Sequence, residues 1–543
     1  MATVVNFHGK NYYEPGAYAA TVYNPTSVTN VAEFGNVLII DTGLSKNGNF
    51  EFSGGSGVNG ELSKGLKSVY EFTAYEDFLN FIGGGMIGDV AEKIFTPAAG
   101  VNGAPKVYYA RAATTRSAKI TLTFGDATLV LKCKNEGVCG NGVKTAGASG
   151  GAEKLRVGYS AEVIQGEATN TFKLRVLKGS YMGVDKDGEP YGSKKIEDAE
   201  PGVLAESEDF KTLEELYNWA LRNKYMLAHF EISHTGELST ELKKLTEVLS
   251  EGGTTEWLNG TEVSDILEAV SELNITFFLG TNANANDGEG VKATTNALIF
   301  NHIKKNARFG GILFVAGGEG DSDLFGERNS SESIARYYDS ANVVVVHGAP
   351  EVARKDRNGS KKLPSIYLTA ATLGMAAGQQ PQTPLTFKRV GYQTFVYDLK
   401  KKEREKALQL GIMHLRNVGG YWVVNQGVTT LQDNDKTIAD DGQSFELSIE
   451  LIKHQLNKEL IVEGESRFTG MTAAQASPVA VKNFTETKLA SLMATAGADN
   501  LIVAWKNVKV SAKNGDYFIT YDFTPNVPVN KTFFIGNILD FKF

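Results

Sequence analysis

NVLIID, at residues 36–41, is a short apolar run followed by turn-forming residues, which predicts a buried strand. Three later runs share this character: ITFFL at 275–279, ILFVA at 312–316 and VVVV at 343–346. Segments with helical periodicity, such as residues 264–273, lie between them. Because buried strands that alternate with helices are typical of α/β proteins, we expect a parallel or mixed sheet.

The segments after NVLIID complete a small α/β unit. TAYEDFLNFI, at residues 73–82, begins with a good N-cap at Thr73 and has apolar side chains at helical spacing, and three glycines then end it. KVYYAR at 106–111 is a second predicted strand. Residues 31–115 are therefore predicted to form the first part of an α/β core.

The middle of the chain divides into two predicted domains. Residues 116–205 contain Thr-, Val- and Leu-rich runs between glycine-rich turns, which predicts a β-rich insertion domain. Residues 206–415 are predicted to form an α/β domain. Within it, IYLTAATLGMAA at 366–377 is a predicted helix of small residues that another element can approach closely.

Residues 416–524 are predicted to form a C-terminal core domain. It has a predicted strand at 421–424 and predicted helices at 444–460 and 485–494. Two further strands, 501–510 and 517–523, flank the dipeptide Asn514-Gly515. This dipeptide favours a type I′ turn, so we expect a β-hairpin.

Both ends of the chain have the composition of extended arms, at residues 1–30 and 525–543. The last residues alternate with period two, as a half-buried strand does. A terminal strand can complete its own sheet or pair with the edge of a neighbouring subunit. In the second case, inter-subunit contacts are expected from Tyr12, Tyr13, Pro15, Tyr18, Val22, Tyr23, Phe533, Ile535, Leu539, Phe541 and Phe543.

The composition predicts a folded protein of several domains. Of the 543 residues, 42% are hydrophobic and 22% are charged, which is too apolar for a disordered chain. The net charge is −8, so the chain has no excess of positive charge with which to bind nucleic acid. No secretion signal or membrane span is visible. Cys133 and Cys139 are too few for a disulfide framework, and reduced thiols suit assembly in a cytoplasm.

Motifs that could hold a nucleotide, a nucleophile or a metal lack the context that their chemistry needs. GxGxxG follows a predicted helix instead of a strand, GxSxG lies in a loop-like segment, and a phosphate-loop match has one residue too many. The histidine, cysteine and Asp/Asn groups have the wrong spacing for zinc or calcium. We therefore predict no cofactor, no metal and no catalytic residue among Gly60, Gly65, Lys67, Ser68, Gly83, Gly85, Gly88, Cys133, Cys139, Gly147, Ser149, Gly151, Asp185, Asp187, His229, His234, Asn282, Asn284, Asn286 and Asp287.

An α/β enzyme remains the alternative from a different functional class. In such a fold, ligands bind at the carboxyl ends of the strands, beside glycine-containing turns. Within residues 206–380 the candidate turns are 279–282 and 316–319. Glycine turns also occur there for structural reasons alone, and the basic runs 354–362 and 400–406 are typical of solvated faces.

Taken in order, segments along nearly the whole chain resemble the contractile tail sheath proteins of bacteriophages and related injection systems. The fold class is then a multidomain α+β or α/β chain, with an α/β sheath core, extended arms at both ends and a β-rich insertion. The segments that carry the resemblance are EPGAY at 14–18, NVLIIDTG, TAYEDFLNFIGGG, KVYYARA, TAATLGMAAGQQPQTPLTFKRV, LQLGIMHLR, GGYWVVNQGVTT and YFITYDFTPNVPVNKTFFIGNILDF.

The resemblance implies a structural subunit that is not an enzyme. Six copies would form a ring, and rings would stack helically around an inner tail tube, with the arms paired to neighbouring subunits by β-augmentation. The sheath would contract once to drive the tube through the target envelope. The tube-facing part would lie in the C-terminal core domain, at 444–460 or 485–494.

The resemblance also implies the partners and the location. The partners would be further copies of the chain, the inner tail tube protein, and the baseplate and tail terminator proteins, without nucleic acid or direct membrane insertion. The subunit would assemble in the host cytoplasm and belong to the virion. Another tail or baseplate protein is the structural alternative, although the chain is long for a tube protein.

Overall fold

The computed structural model describes most of the chain. The described residues are 5–7, 10–12, 33–41, 69–82, 85–111, 113–136, 140–145, 154–179, 183–184, 190–191, 202–257, 260–281, 291–326, 330–353, 360–432, 444–468, 470–472, 475–495, 500–513 and 516–529.

Strands and helices alternate in the first and third quarters of the chain, and strands dominate between them. Up to residue 111 the elements are β1 (Val5–Phe7), β2 (Lys10–Tyr12), β3 (Val37–Asp41), β4 (Val69–Phe72), α1 (Tyr75–Ile82), α2 (Gly85–Phe95) and β5 (Val107–Arg111). Up to residue 257 they are β6 (Ala113–Phe124), β7 (Ala127–Glu136), β8 (Val143–Thr145), β9 (Lys154–Val157), β10 (Tyr159–Gln165), β11 (Phe172–Lys178), β12 (Gly183–Val184), β13 (Pro190–Tyr191), β14 (Val203–Glu206), α3 (Leu213–Ala220), α4 (Lys224–His229), β15 (Phe230–Thr235), β16 (Leu245–Leu249) and β17 (Thr254–Trp257).

The remaining elements return to the alternating order and end in two long strands. They are α5 (Gly260–Ala269), β18 (Phe277–Gly280), α6 (Val291–Lys305), β19 (Ile312–Ala316), α7 (Ser331–Tyr338), β20 (Val343–His347), β21 (Pro350–Ala353), β22 (Ser360–Lys362), α8 (Ser365–Ala377), β23 (Thr394–Phe395), α9 (Lys401–Gln409), β24 (Ile412–Val418), β25 (Tyr421–Val424), α10 (Leu447–Phe468), α11 (Pro478–Ser491), β26 (Ile502–Lys513) and β27 (Asp516–Pro525).

An eight-stranded sheet forms the centre of the molecule, in the order β25-β24-β20-β19-β18-β3-β5-β4. The six inner strands are parallel, and the two edge strands are antiparallel to their neighbours. Strand β3, the NVLIID strand, lies between β18 and β5, and every residue of it is buried. The predicted mixed sheet and its buried strands are confirmed.

Helices cover both faces of this sheet, so each strand contributes to two cores. Val37 and Ile39 of β3 face a core that includes residues of α1, α2 and α8. Leu38 and Ile40 face the opposite core, which includes residues of α5, α6, α7 and α9. Because side chains alternate along a strand, burial on both sides requires the continuous apolar runs seen in the sequence.

The small-residue helix α8 packs closely on α2, as its composition predicts. A Cβ on Gly374 would lie 2.5 Å from the carbonyl oxygen of Lys93 and 2.6 Å from that of Ile94. Two elements of this region were not predicted, namely strand β4 and helix α2. The glycine run after α1 indicated a loop, but α2 begins at Gly85 and buries Ile87, Val90 and Ile94 at helical spacing.

The β-rich unit contains two four-stranded sheets, β14-β11-β10-β16 and β15-β7-β6-β17, around one core. Helices α3 and α4 belong to this core, and Thr212 caps α3 with a capping box to Glu215. Strands β15, β16 and β17 come from residues assigned above to the next domain. We therefore propose a domain end near residue 257, where Trp257 pairs with Ala113 at the start of the unit.

Helix α10 joins the sheet to the C-terminal hairpin. Leu447 and Leu451 lie in the core beside the sheet, whereas Ile452 and Leu456 lie in the core beneath the hairpin. The helix begins later and ends later than the predicted 444–460. Helix α11 begins earlier than predicted, because Ser477 caps it and proline occupies its first turn.

No helix in the part of the chain that the structure describes is long and apolar enough to cross a bilayer.

We predict that Gly374→Ala lowers the free energy of unfolding by about 2 kcal/mol, because the added methyl group forces α8 away from the α2 backbone. Gly464 in α10 has no atom within 4 Å of its Cβ position and provides the control. Gly464→Ala should stabilise the protein by up to about 1 kcal/mol through helix propensity. Urea unfolding measures both changes, and equal effects would contradict the close contact.

Candidate assembly surface

Strands β26 and β27 form a long antiparallel hairpin that is a separate two-stranded sheet. The pairing runs from Ile502 opposite Pro525 to Lys513 opposite Asp516, which confirms the predicted hairpin. Within the described residues, the outer edges have no partner strand beyond the bridge between Ile502 and Met493. Such edges present unpaired backbone N–H and C=O groups to another chain.

One face of the hairpin packs on α10 and α11. Ile502 and Val508 are buried in this core with Leu456 of α10 and Leu489 of α11. A two-stranded sheet is only marginally stable alone, so this packing supports it. Asn507 has a φ of 58° at an irregularity of the ladder, and its side-chain amide donates to Asp522 Oδ2 at 2.6 Å.

Large apolar side chains are exposed on the rest of the hairpin and just after it. Phe518 is 55% exposed and its neighbour Ile519 is 39% exposed. The chain then passes through Val527 and Val529, which are also exposed. Exposed apolar residues beside unpaired strand edges are typical of interaction surfaces.

A buried lysine connects α10 to the chain that immediately precedes strand β3. Lys458 Nζ donates to the backbone carbonyl oxygen of Glu33, which also accepts a hydrogen bond from Asn274 Nδ2 at 2.9 Å. Burial lowers the pKa of Lys458 to about 8, although Glu459 and Glu33 oppose this shift. The helix that carries the hairpin is therefore bonded to the root of the N-terminal region.

A partly buried histidine makes a second connection between α10 and the central sheet. The side-chain amide of Asn342 donates to His454 Nε2 at 3.0 Å, and the imidazole lies against Gly310. Burial, helped by the nearby Lys453, lowers the pKa of His454 to about 4. The neutral ring is the form that accepts the hydrogen bond.

A network of charged residues continues along α10. Glu450 is buried and accepts from Lys453 Nζ at 2.9 Å. Farther along, Lys488 of α11 lies between Glu459, at 2.5 Å, and Glu463. Burial lowers the pKa of Lys488, but the hydrogen bonds that its ammonium donates to these two carboxylates together outweigh burial, so the pKa is raised. The two pairs of Lys488 hold α11 against α10, the two helices predicted as alternatives for the tube-facing element.

The predicted arm residues fall almost entirely outside the described residues. Tyr12 belongs to β2 and pairs with Val5. Tyr13, Pro15, Tyr18, Val22, Tyr23, Phe533, Ile535, Leu539, Phe541 and Phe543 are not among the described positions. The sequence reasoning considered the arms as the contacting elements and did not consider the hairpin as their receptor. In the sequence, the adjacent apolar residues Phe518 and Ile519 were the feature that could have indicated this role of the hairpin.

The partial motif matches named in the sequence analysis do not lie in the structural settings in which enzymes use these motifs. Gly85 and Gly88 lie in α2, which follows a helix, and the phosphate-loop and GxSxG matches fall outside the described residues. His229 accepts or donates to the Tyr159 hydroxyl at 3.1 Å, and burial lowers its pKa to about 4. Cys133 is buried in the β-rich core, and Cys139 is not described.

The glycine turns at the strand ends of the central sheet are filled by side chains. A Cβ on Gly280 would lie 2.4 Å from Asn296 Oδ1, and one on Gly318 would lie 2.4 Å from Asp323. Beside them, Ser331 Oγ is 2.9 Å from His347 Nδ1. This pair has the spacing of a nucleophile and its base, but Ser331 is fully buried and has no access to a substrate.

No group of three or more metal-ligating side chains is assembled among the residues that the structure describes.

Comparison with known proteins identifies the same architecture in sheath proteins. No protein-family model matches the chain. It is 24% identical over 248 residues to the tail sheath protein of Bacillus phage SP01, a match that covers 45% of this chain and only 40% of that curated relative. A sheath tail protein from Desulfitobacterium hafniense shares 13% identity and covers 94% of this chain and 100% of its own, with a TM-score of 0.55.

These matches support the resemblance of this chain to the contractile tail sheath family. The contracted helical sheath of the anti-feeding prophage is also similar, with 16% identity over 53% of this chain and 78% of that chain and a TM-score of 0.37. The predicted resemblance to tail sheath proteins and the mixed α/β fold class are confirmed. Sheath proteins are structural and are not enzymes.

We predict that acid weakens the junction between α10 and the sheet. The folded state prefers neutral His454, so its contribution is complete above the unfolded pKa near 6.5 and is lost as the pH falls toward 4. Between pH 7 and 5 this group alone should lower the free energy of unfolding by about 2 kcal/mol. His454→Gln should reduce the pH dependence by that amount in urea titrations. Parallel pH profiles for the variant and the wild type would contradict the assignment.

Proposed function

We propose that the chain is the structural subunit of a contractile tail sheath. Copies would assemble as stacked hexameric rings around an inner tube, and contraction would drive the tube through the target cell envelope. The observation that carries the proposal is the hairpin β26–β27, which combines unpaired edges with exposed Phe518 and Ile519 in a chain with a sheath fold.

In this proposal, arms from neighbouring subunits extend the hairpin by β-augmentation. Residues 530–543 follow the hairpin directly and could span roughly 45 Å when extended, which is enough to lie along a strand the length of β26. The free arm is proposed to begin after residue 529 instead of at 525. Pro525 is buried, and the Asn526 N–H donates to the Leu501 carbonyl oxygen.

The proposed partners follow from this role. The chain would contact further copies of itself, an inner tail tube protein, and baseplate and tail terminator proteins in the virion, after assembly in the host cytoplasm. Either α10 or α11 would face the tube, since both lie beside the hairpin in the C-terminal core. The proposal involves no nucleic acid, cofactor or membrane insertion.

Removal of both arms tests polymerisation without disturbing the described core. We predict that full-length protein forms striated tubes in negative-stain images, and that a variant lacking residues 1–25 and 530–543 sediments as a folded particle that forms none. Circular dichroism with thermal melting should show unchanged folding. Normal tubes from the doubly truncated protein would contradict the arm-mediated mesh.

A second test addresses the hairpin as the receptor of the arms. Phe518→Glu with Ile519→Lys should abolish tube formation while the unfolding midpoint changes little, because both side chains are already exposed. Val203 in β14 is a comparably exposed apolar residue in the β-rich unit, so Val203→Glu provides the control. Equal tube yields from the hairpin variant and the control would argue against the hairpin.

A further inference from the structure

A second exposed face lies at the opposite edge of the central sheet from β4. It consists of β24, β25 and residues 387–390, which bond to β25 on its outer side. The Phe387 N–H donates to the Val424 carbonyl oxygen, and the Val390 N–H donates to that of Trp422. The backbone of Arg389 also forms an antiparallel β-bridge with Val423. This added segment covers the edge, so the available surface is the face of the ribbon and not its backbone.

Aromatic rings and arginines alternate across this face. The Arg389 guanidinium lies 3.2 Å from the centre of the Tyr421 ring, and the Arg416 guanidinium lies 4.2 Å from the centre of the Phe387 ring. Such stacking holds each guanidinium flat against a ring. Tyr421 and Phe387 are nevertheless 55% and 51% exposed, and Val418 beside them is exposed as well.

The backbone at Phe387 is strained where the ring is presented. Its φ is 63°, a left-handed conformation that bulky residues rarely adopt. Folding alone does not require a large ring here, because half of it remains in solvent. Backbone strain of this kind clusters at functional sites, so the exposed ring of Phe387 is a candidate contact.

The face is positively charged on a chain that is negative overall. Lys388 and Arg389 are exposed, and Arg416 Nε is buried without a hydrogen-bond partner. In the described part of the chain, none of these three side chains forms an ion pair. The net charge of the whole chain is −8, so a second copy offers many carboxylates to this face.

We propose that the face formed by Phe387, Arg389, Arg416, Val418 and Tyr421, with the exposed Lys388 at its edge, docks onto an acidic surface of a second copy of this chain. The inference rests on the proposed polymerisation and adds a lateral contact that is independent of the arms. Carboxylates of the neighbour would pair with the exposed Arg389, whose N–H groups remain available while the plane of its guanidinium stacks on Tyr421. The exposed rings would form the apolar centre of the contact.

Charge reversal provides the matched test in the full-length protein. Lys388→Glu with Arg389→Glu alters two adjacent exposed cations, and Lys243→Glu with Lys244→Glu makes the same change of charge in the β-rich unit. We expect the first variant to raise the minimum concentration for polymerisation at least about tenfold above that of the second, measured by light scattering and electron microscopy.

The variant Phe387→Gly tests whether the Phe387 ring is needed for the contact between copies or for folding. Glycine accepts the positive φ without strain, so the thermal midpoint should stay the same or rise while polymerisation weakens at least about tenfold. A lower midpoint with unchanged polymerisation would show that the ring is structural and would overturn the proposal.

The neighbour is identified by carbodiimide coupling within polymers made from isotope-labelled and unlabelled copies. Lys388 should form amide cross-links to carboxylates of the other isotopic population. Cross-links confined to single chains, or polymerisation of the Lys388→Glu/Arg389→Glu variant equal to that of its control, would overturn the inference alone. Wild-type protein that forms no polymer would overturn the proposed function and this inference with it.

Discussion

The burial of one helix in two separate cores is the constraint on which the C-terminal half depends. Leu447 and Leu451 of α10 are fixed beside the central sheet, and Ile452 and Leu456, each five residues further along, are fixed beneath the hairpin. A shift along the helix axis would disrupt both sets of contacts. The hydrogen bond from Lys458 to Glu33 adds the root of the N-terminal region to the same rigid element.

Much of the central sheet could be predicted because the apolar residues of its strands indicate their burial directly. A strand covered on both faces needs apolar side chains at every position, and 36–41 and 343–346 have little else. Helix α2 could not be predicted by the same reasoning. Three successive glycines usually end a helix, whereas α2 begins at the third of them and is stabilised by the burial of Ile87, Val90 and Ile94.

The candidate site was predictable in part. Asn514-Gly515 indicated the hairpin, since turn chemistry is local. The burial of Glu450 and Lys458 in α10 was not predictable, because both look like surface residues and only their partners in the folded protein allow them to be buried. The strained backbone of Phe387 has no signature in a single sequence, because it depends on pairing with β25.

The β-rich unit is attached to the sheet by two chain segments that lie side by side. The first residue of β6, Ala113, pairs with the last residue of β17, Trp257, so the unit leaves and rejoins the α/β core at nearly one point. An insertion with adjacent ends adds little loop-closure cost to the fold that receives it. The unit is thus interchangeable in principle: a lineage could replace it, or an engineer could exchange it for a cargo domain, while the strand order of the core stays intact.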